Sequence, residues 1–262
     1  MSSTLMVAIC ERRFALAAGR TPDPTPKLGP ESGSKPNALL VGSGLHAGLA
    51  GWYKGQISEP DITEIAWYGE SIEGSHPINC TEIRRLLRWY FREHRPTEFG
   101  RVLHIEIDIA IPRTDPELPG FTGAIDLIVE CGEEDVMRLA GDGCFLPGPG
   151  VYGVDHKTAA SASKAAQMEY ALRPQFSGYC LISPVPLQGF IVNRIMKTQT
   201  VKRQLYYVPP PDDQAKLMVS SLVHERLRIL QNPPEYAKAN PDACLDRYGG
   251  LCPYLYNGCN RY

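Results

Sequence analysis

No run of apolar residues in this chain approaches the roughly 20 that a membrane-spanning helix needs, so none is expected. Nor is there an excess of positive charge. The formal net charge is −2 at pH 7, which rules out a global basic field; any binding of nucleic acid has to rest on local patches. The opening MSSTLMVAICERRF has a short apolar patch with no basic segment before it. A secretory leader is therefore not expected, and the stretch reads as a first strand or helix. No internal repeat is present. Residues 42–48, GSGLHAG, are glycine-rich but lack the Gly-Lys-Ser/Thr ending of a phosphate loop and any strand–turn–helix context. A small-molecule enzyme built around them would have to bind a nucleotide.

What is present is an ordinary globular composition, 43% apolar and 21% charged over 262 residues. That length suits one large α/β domain over 1–262, with a core over 39–208. Residues 20–38, RTPDPTPKLGPESGSKPNA, read as a flexible loop. Cysteine is the one residue in unusual supply. There are eight, five scattered (Cys10, Cys80, Cys131, Cys144, Cys180) and three in the last nineteen residues (Cys244, Cys252, Cys259). Without a leader, the expected setting is reducing, the cytoplasm of a bacterial or phage-infected cell. There, clustered cysteines bind metal more often than they pair.

Hydrophobic periodicity gives the coarse layout. Leu45, Leu49, Trp52 and Tyr53 keep helical spacing and place a helix start near Ser43. Residues 79–95 form the clearest amphipathic helix, with Ile83, Leu86, Leu87, Tyr90 and Phe91 as its apolar stripe. Arg84, Arg85, Arg88, Arg92 and Arg95 lie off that stripe. They are either a solvated face or a patch that tracks phosphates, with Arg84 and Arg88 as candidate nucleic-acid contacts. Residues 102–112, 120–131 and 151–158 read as strands, and 132–150 as a loop or elaborated hairpin. Two further strands over 187–198 and 200–209 suit a hairpin. Short helices are expected over 161–172 and from Pro174, and a long one over 211–232. Strands and helices intermingle, which predicts a central mixed sheet flanked by helices.

Chemistry concentrates on three of the strands. Glu106, Asp126 and Asp155 each interrupt an apolar run, and a carboxylate there is expensive without a partner. Lys157 follows Asp155 by two residues, so the two share a strand face. Hard oxygen donors of this kind suit Mg²⁺ or Mn²⁺.

GAIDLIV, a loop, and then VYGVDHKT resemble the PD-(D/E)XK nuclease motif. Asp126 matches the first acid, with Ile125 where the motif has proline. Asp155-His156-Lys157 match the tripeptide. GSGLHAGLAGWY resembles the N-terminal motif of the RecB-like branch, with His46 at the metal-completing histidine. QFSGY resembles that branch's Q-x-x-x-Y, with Gln175 and Tyr179 on one helix face. Glu106 resembles its extra acid, although Asp108 shares the same strand face.

The resemblance spans 46–179 and implies a three-layer α/β/α restriction-endonuclease-like core. It implies a metal set of His46, Asp126, Asp155 and the backbone carbonyl of His156, with Glu106 assisting. It implies catalytic work for Asp126, Asp155 and Lys157, and support or strand contact from Gln175 and Tyr179. The implied activity is Mg²⁺- or Mn²⁺-dependent hydrolysis of DNA, single-stranded or with a free end, in recombination, repair or phage DNA processing. The alternative is a non-catalytic DNA-binding or assembly subunit that keeps the fold. Protein partners are not implied.

AICERRFAL and the C-terminal cysteines resemble the iron–sulfur subset of this branch, which includes AddB-type and CRISPR-associated exonucleases. Cys10, Cys244, Cys252 and Cys259 would be the four thiolates of a [4Fe–4S] cluster, with Zn²⁺ as the chemical rival. Such a cluster would join residues 1–19 to 240–262, packing the cysteine-rich tail against the N-terminus. Cys80, Cys131, Cys144 and Cys180 read as small buried or partly buried apolar residues.

Overall fold

Helix α1 (Asn37–Tyr53) and helix α2 (Pro77–Glu93) come first, then strands β1 (Arg101–Ala110) and β2 (Thr122–Cys131) and helix α3 (Glu133–Gly141). Strand β3 (Gly150–Ala159), helix α4 (Pro174–Ile182) and strands β4 (Phe190–Met196) and β5 (Lys202–Val208) follow. The computed structural model describes residues 37–58, 77–110, 122–160, 170–171, 173–214, 216–217 and 221. The chain divides into two compact units. Ser34–Ile109 with Ala124–Pro211 form the one that holds the sheet and its helices; Met1–Gly33, Ala110–Gly123 and Asp212–Tyr262 form the other.

The sheet has five strands in the order β1-β2-β3-β4-β5. Strand β2 runs antiparallel to β3, from Leu127 opposite Val154 to Cys131 opposite Gly150. Strand β3 runs parallel to β4, with Asp155 beside Val192, His156 beside Asn193 and Lys157 beside Arg194. Strands β4 and β5 form the expected antiparallel hairpin, Phe190 opposite Val208. The sheet is therefore mixed, as the intermingled strands and helices predicted. Strand β4 is buried along its whole length, which is why FIVNRIM is nearly unbroken in apolar residues.

Alternation sends the strands' apolar residues to two faces. Leu127, Val154, Ile191 and Ile195 pack with Leu45 and Leu49 of α1 and Leu86 and Leu87 of α2. On the opposite face Phe176 of α4 meets Phe190, ring centroids 5.3 Å apart, with Tyr179 beside it at 5.9 Å. Helices thus cover both faces, which makes three layers.

The glycines of GSGLHAG serve this packing. A Cβ on Gly44 would stand 2.4 Å from Cδ1 of Ile83, and one on Gly48 would stand 2.5 Å from Cδ1 of Leu87. Their absence lets α1 and α2 approach closely. The segment lies within a helix, so it is not a phosphate loop.

Two expectations need correction. Helix α1 starts at Asn37, not near Ser43, because Ala38, Leu39 and Leu40 are good helix formers and Val41 is already buried. Residues 132–150 are not all loop, since they contain α3. Its signal was weak in sequence: nine residues with Leu139 alone fully buried. It is held instead by its ends. Glu133, Glu134 and Asp135 sit on the positive end of the dipole, and the Gly132 N–H donates to Asp135 Oδ2 at 2.9 Å. At the far end Gly143 (φ 85) donates to Ala140 O, and Cys144 donates to Leu139 O, a Schellman closure.

The expected helices over 161–172 and 211–232 fall largely outside the described residues, as do the N-terminal segment, the 20–38 loop and the cysteine-rich tail. Among the described residues no helix is long and apolar enough to cross a membrane.

Candidate active site

The β2–β3 ladder stops at Leu127 opposite Val154; the next residue on each strand is an acid, Asp126 and Asp155, close enough for the charge of Asp126 to act on Asp155. A main-chain N–H released from a ladder needs another acceptor. The His156 N–H takes Oδ2 of Asp126, at 2.7 Å. The other Asp126 oxygen, Oδ1, lies 2.9 Å from Nδ1 of His46, which α1 delivers from the layer above. On β3 the Lys157 ammonium lies 2.9 Å from Oδ1 and 2.7 Å from Oδ2 of Asp155, the side-chain neighbour that strand alternation predicts. From the opposite layer, α4 supplies Gln175. Its Nε2 donates to the Tyr179 hydroxyl at 3.1 Å and, at a long 3.4 Å, to Asp155 Oδ1. Three layers thus deliver His46, Asp126, Asp155, His156, Lys157, Gln175 and Tyr179 to one place.

Burial makes these charges interact strongly. It works to raise the pKa of Asp126, but the charge and hydrogen bond of His46 and the His156 N–H override it, pulling the carboxyl down to about 2. His46 moves the other way: burial lowers it, Asp126 outweighs that, and the imidazole ends raised. Asp155 is pushed up by burial and by the nearby Asp126 charge, with Lys157 opposing. Lys157 is lowered by burial and raised by Asp155, which prevails. Burial takes His156 down to about 4, so its ring is neutral near pH 7.

Two neighbouring carboxylates, an imidazole and a main-chain carbonyl make a donor set suited to a hard divalent cation. As placed, Asp126 and His46 are bonded to each other and Asp155 is paired with Lys157. Among the described residues, no three His, Cys, Asp or Glu side chains stand in ligand geometry. One acceptor remains: Asp155 Oδ2 is shielded from solvent and, although Lys157 Nζ is close, receives no hydrogen bond of proper angle. A buried carboxyl oxygen with spare lone pairs near a second carboxylate is what a cation site requires. The residues fit the group.

Other candidates lie elsewhere. Glu106 stands apart from the seven, an exposed carboxylate paired with Lys54 at 2.9 Å, at a residue with φ 49. The Asp108 side chain is outside the described set. Arg84 and Arg88 line an open hollow of about 550 Å³ along α2, together with Arg85, Arg92 and Trp89. Thr81 and Glu93 complete its lining, and Asp126, Asp155 and the other residues of the group described above do not take part. Arg85 is partly committed elsewhere, to Glu82 at 2.7 Å and the Thr198 carbonyl at 3.0 Å. Cys10, Cys244, Cys252 and Cys259 lie outside the described residues. Cys131 and Cys144 are buried and Cys180 half-buried, all as free thiols. Burial pushes them up to about 12, 11 and 12, so they are inert small apolar groups.

Sequence reasoning missed Asn193 and the hydrogen bond of the Tyr90 hydroxyl. Asn193 Nδ2 lies 2.8 Å from His156 Nδ1 and 2.7 Å from the Tyr90 hydroxyl. The only sequence signal was a lone amide inside an apolar strand. The Tyr90 ring lies buried in the apolar stripe, as its helical spacing predicts.

No family model matches the chain, and no curated protein matches it. Among solved structures it is similar to a candidate exonuclease from Eubacterium rectale, at 13% identity and a TM-score of 0.48, over 85% of this chain and 74% of that one. It is also similar to a protein called SSO0001, at 14% identity and a TM-score of 0.31, over 79% of this chain and 83% of that one. At such identities neither transfers an activity.

Proposed function

We propose that this chain is a metal-dependent deoxyribonuclease of the PD-(D/E)XK type, RecB-like branch, which hydrolyses phosphodiester bonds as an exonuclease. The observation that carries the reading is the convergence of Asp126 and Asp155 just beyond the end of the β2–β3 ladder, Asp126 bonded to His46 and the His156 N–H and Asp155 paired with Lys157. Asp126, Asp155, His46 and the His156 carbonyl would hold Mg²⁺ or Mn²⁺. When bound, the ion would polarise a phosphate oxygen and lower the pKa of a coordinated water.

The chain's own groups do the rest. Lys157 is kept protonated by Asp155, since its pKa is raised. That supports an electrostatic role for it, neutralising charge that builds on the phosphoryl oxygens, and argues against its acting as a base. Gln175 ties Asp155 to Tyr179 and limits the carboxylate's rotation. The arginines of α2, with Trp89 among them, offer a local surface for phosphates and bases. Such a patch is compatible with a net charge of −2.

End-labelled single- and double-stranded DNA, incubated with Mg²⁺ or Mn²⁺, tests the reading. Cleavage is expected to fall by about 10² or more in Asp126→Ala, Asp155→Ala and Lys157→Ala. Cleavage that survives both Asp155→Ala and Lys157→Ala would remove the catalytic assignment. DNA binding without any cleavage would favour the non-catalytic subunit.

A further inference from the structure

Strand β4 brings Asn193, fully buried, into register beside His156. Its Nδ2 lies 2.7 Å from the Tyr90 hydroxyl and 2.8 Å from His156 Nδ1. An amide –NH₂ carries two hydrogens, and these are two directions for them. Which end of the amide faces Tyr90 follows from the next link. Tyr90 has one hydroxyl proton and gives it to Oε1 of Glu98. That carboxylate also accepts from Tyr53 at 3.1 Å and is paired with Arg203. The Tyr90 oxygen therefore has only lone pairs to offer, so the atom facing it is the amide nitrogen. The second amide hydrogen then points at His156 Nδ1, which must accept. Asn193 thus donates both ways, to Tyr90, which donates on to Glu98, and to the imidazole, whose hydrogen is left on Nε2; that atom and Asn193 Oδ1 are buried without a hydrogen-bond partner.

We propose that Asn193 is a positioning residue of the candidate active site, the last link of a Glu98–Tyr90–Asn193 relay that locks His156 in one tautomer and one orientation. The main chain of His156 is what that lock serves. Its N–H holds Asp126 Oδ2 at 2.7 Å, and the preceding residue is Asp155. The ring is gripped on several sides as well, by Tyr53 stacked at 5.8 Å and by Phe99 at 6.2 Å. The other tautomer would set an Nδ1–H against the Asn193 donor, and a ring turned over would set the Cδ2–H there and lose the acceptor altogether. Fixing the ring removes a freedom from the peptide that joins the two acids.

The functional half of this proposal rests on the nuclease reading; the tautomer does not. Long-range ¹H–¹⁵N spectra of histidine-labelled protein, with His156→Gln to assign the signal, read the tautomer directly. The wild type is expected to carry its hydrogen on Nε2 of His156. A hydrogen on Nδ1 overturns the relay without any variant having to fold. Tyr90→Phe keeps the packed ring and removes the relay's hydroxyl, and Asn193→Asp puts an acceptor against Nδ1. Both should disturb the tautomer signal and weaken binding of Mn²⁺ alone, read by electron paramagnetic resonance, by about tenfold or more. Wild-type protein that binds Mn²⁺ together with variants that bind it equally well would overturn the positioning role. Wild-type protein that binds no Mn²⁺ would sink the nuclease reading and the positioning role with it, while the tautomer still decides the relay.

Discussion

Two acids that stand close together on neighbouring strands have been driven apart chemically by their surroundings. Asp126 is held ionised by His46 and the His156 N–H, while Asp155 is raised by burial and by Asp126. Lys157 answers the second acid, and Asp155 keeps it protonated. A lysine in that state stabilises charge. Replacing it by Gln should lower cleavage by about 10² at every pH between 6 and 9, leaving the shape of the pH profile unchanged. A rate that climbs with pH in the wild type and stays flat in Lys157→Gln would instead mark the amine as a base.

Glu98 offers a second test at this scale. Its side chain is 7% exposed. Burial pushes its pKa up, yet the hydrogen bond with His94 and the charge of Arg203 prevail and hold it below the ordinary carboxylate value. A depressed carboxylate contributes stability that is present above its unfolded pKa and is lost as pH falls through the folded value. Breaking the buried pair by Glu98→Gln should destabilise by about 3 kcal/mol at pH 7. The gap between variant and wild type, measured by urea unfolding, should narrow below pH 4.5. A gap of constant size would mean that Glu98 is not ionised in the folded protein.

Among the elements, α1 ties the packing of the core most directly to the site. His46 sits between Gly44 and Gly48, so the contact that lets α2 approach also sets the height at which the imidazole meets Asp126. Ala in place of Gly48 gains up to about 1 kcal/mol of helix propensity. Against that, its Cβ would meet Cδ1, Cδ2 and Cγ of the fully buried Leu87 at 2.5, 2.8 and 3.2 Å. Overpacking of this kind costs about 1–3 kcal/mol, so the net effect should be destabilising, and Gly48→Val should be worse than Gly48→Ala. Thermal melts with the two variants check the order; a Gly48→Ala protein as stable as the wild type would show that the helices can move apart.

The same elements show what the sequence made legible. Strands announced themselves by alternation, and Asp126, Asp155 and Lys157 stood out as charges inside apolar runs. Helix α3 did not stand out, because its stability comes from end caps more than from an apolar face. Asn193 did not either. Its partner lies 37 residues earlier, and only the parallel register of β3 with β4 brings the two together. Glu106 looked like one of the site acids because its strand alternates cleanly. A residue at φ 49 paired with Lys54 is a fact of three dimensions.

At the scale of the whole molecule, the net charge of −2 and the arginines concentrated on α2 argue that any polyanion is held locally. The four cysteines outside the described residues raise a separate question of long-range closure. Cys10 and Cys259 are almost 250 residues apart in sequence. If Cys10, Cys244, Cys252 and Cys259 share a [4Fe–4S] cluster, the unfolded chain loses the entropy of a very long loop, on the order of 5 kcal/mol in the chain-entropy account. Protein purified without oxygen should then be brown, with broad visible absorbance, and Cys10→Ser should remove the colour and lower the unfolding midpoint together. A colourless sample with one zinc per chain would assign the thiolates to zinc. A colourless, metal-free sample whose midpoint ignores Cys10→Ser would leave the four as unligated thiols, and the closure of the molecule would rest on packing alone.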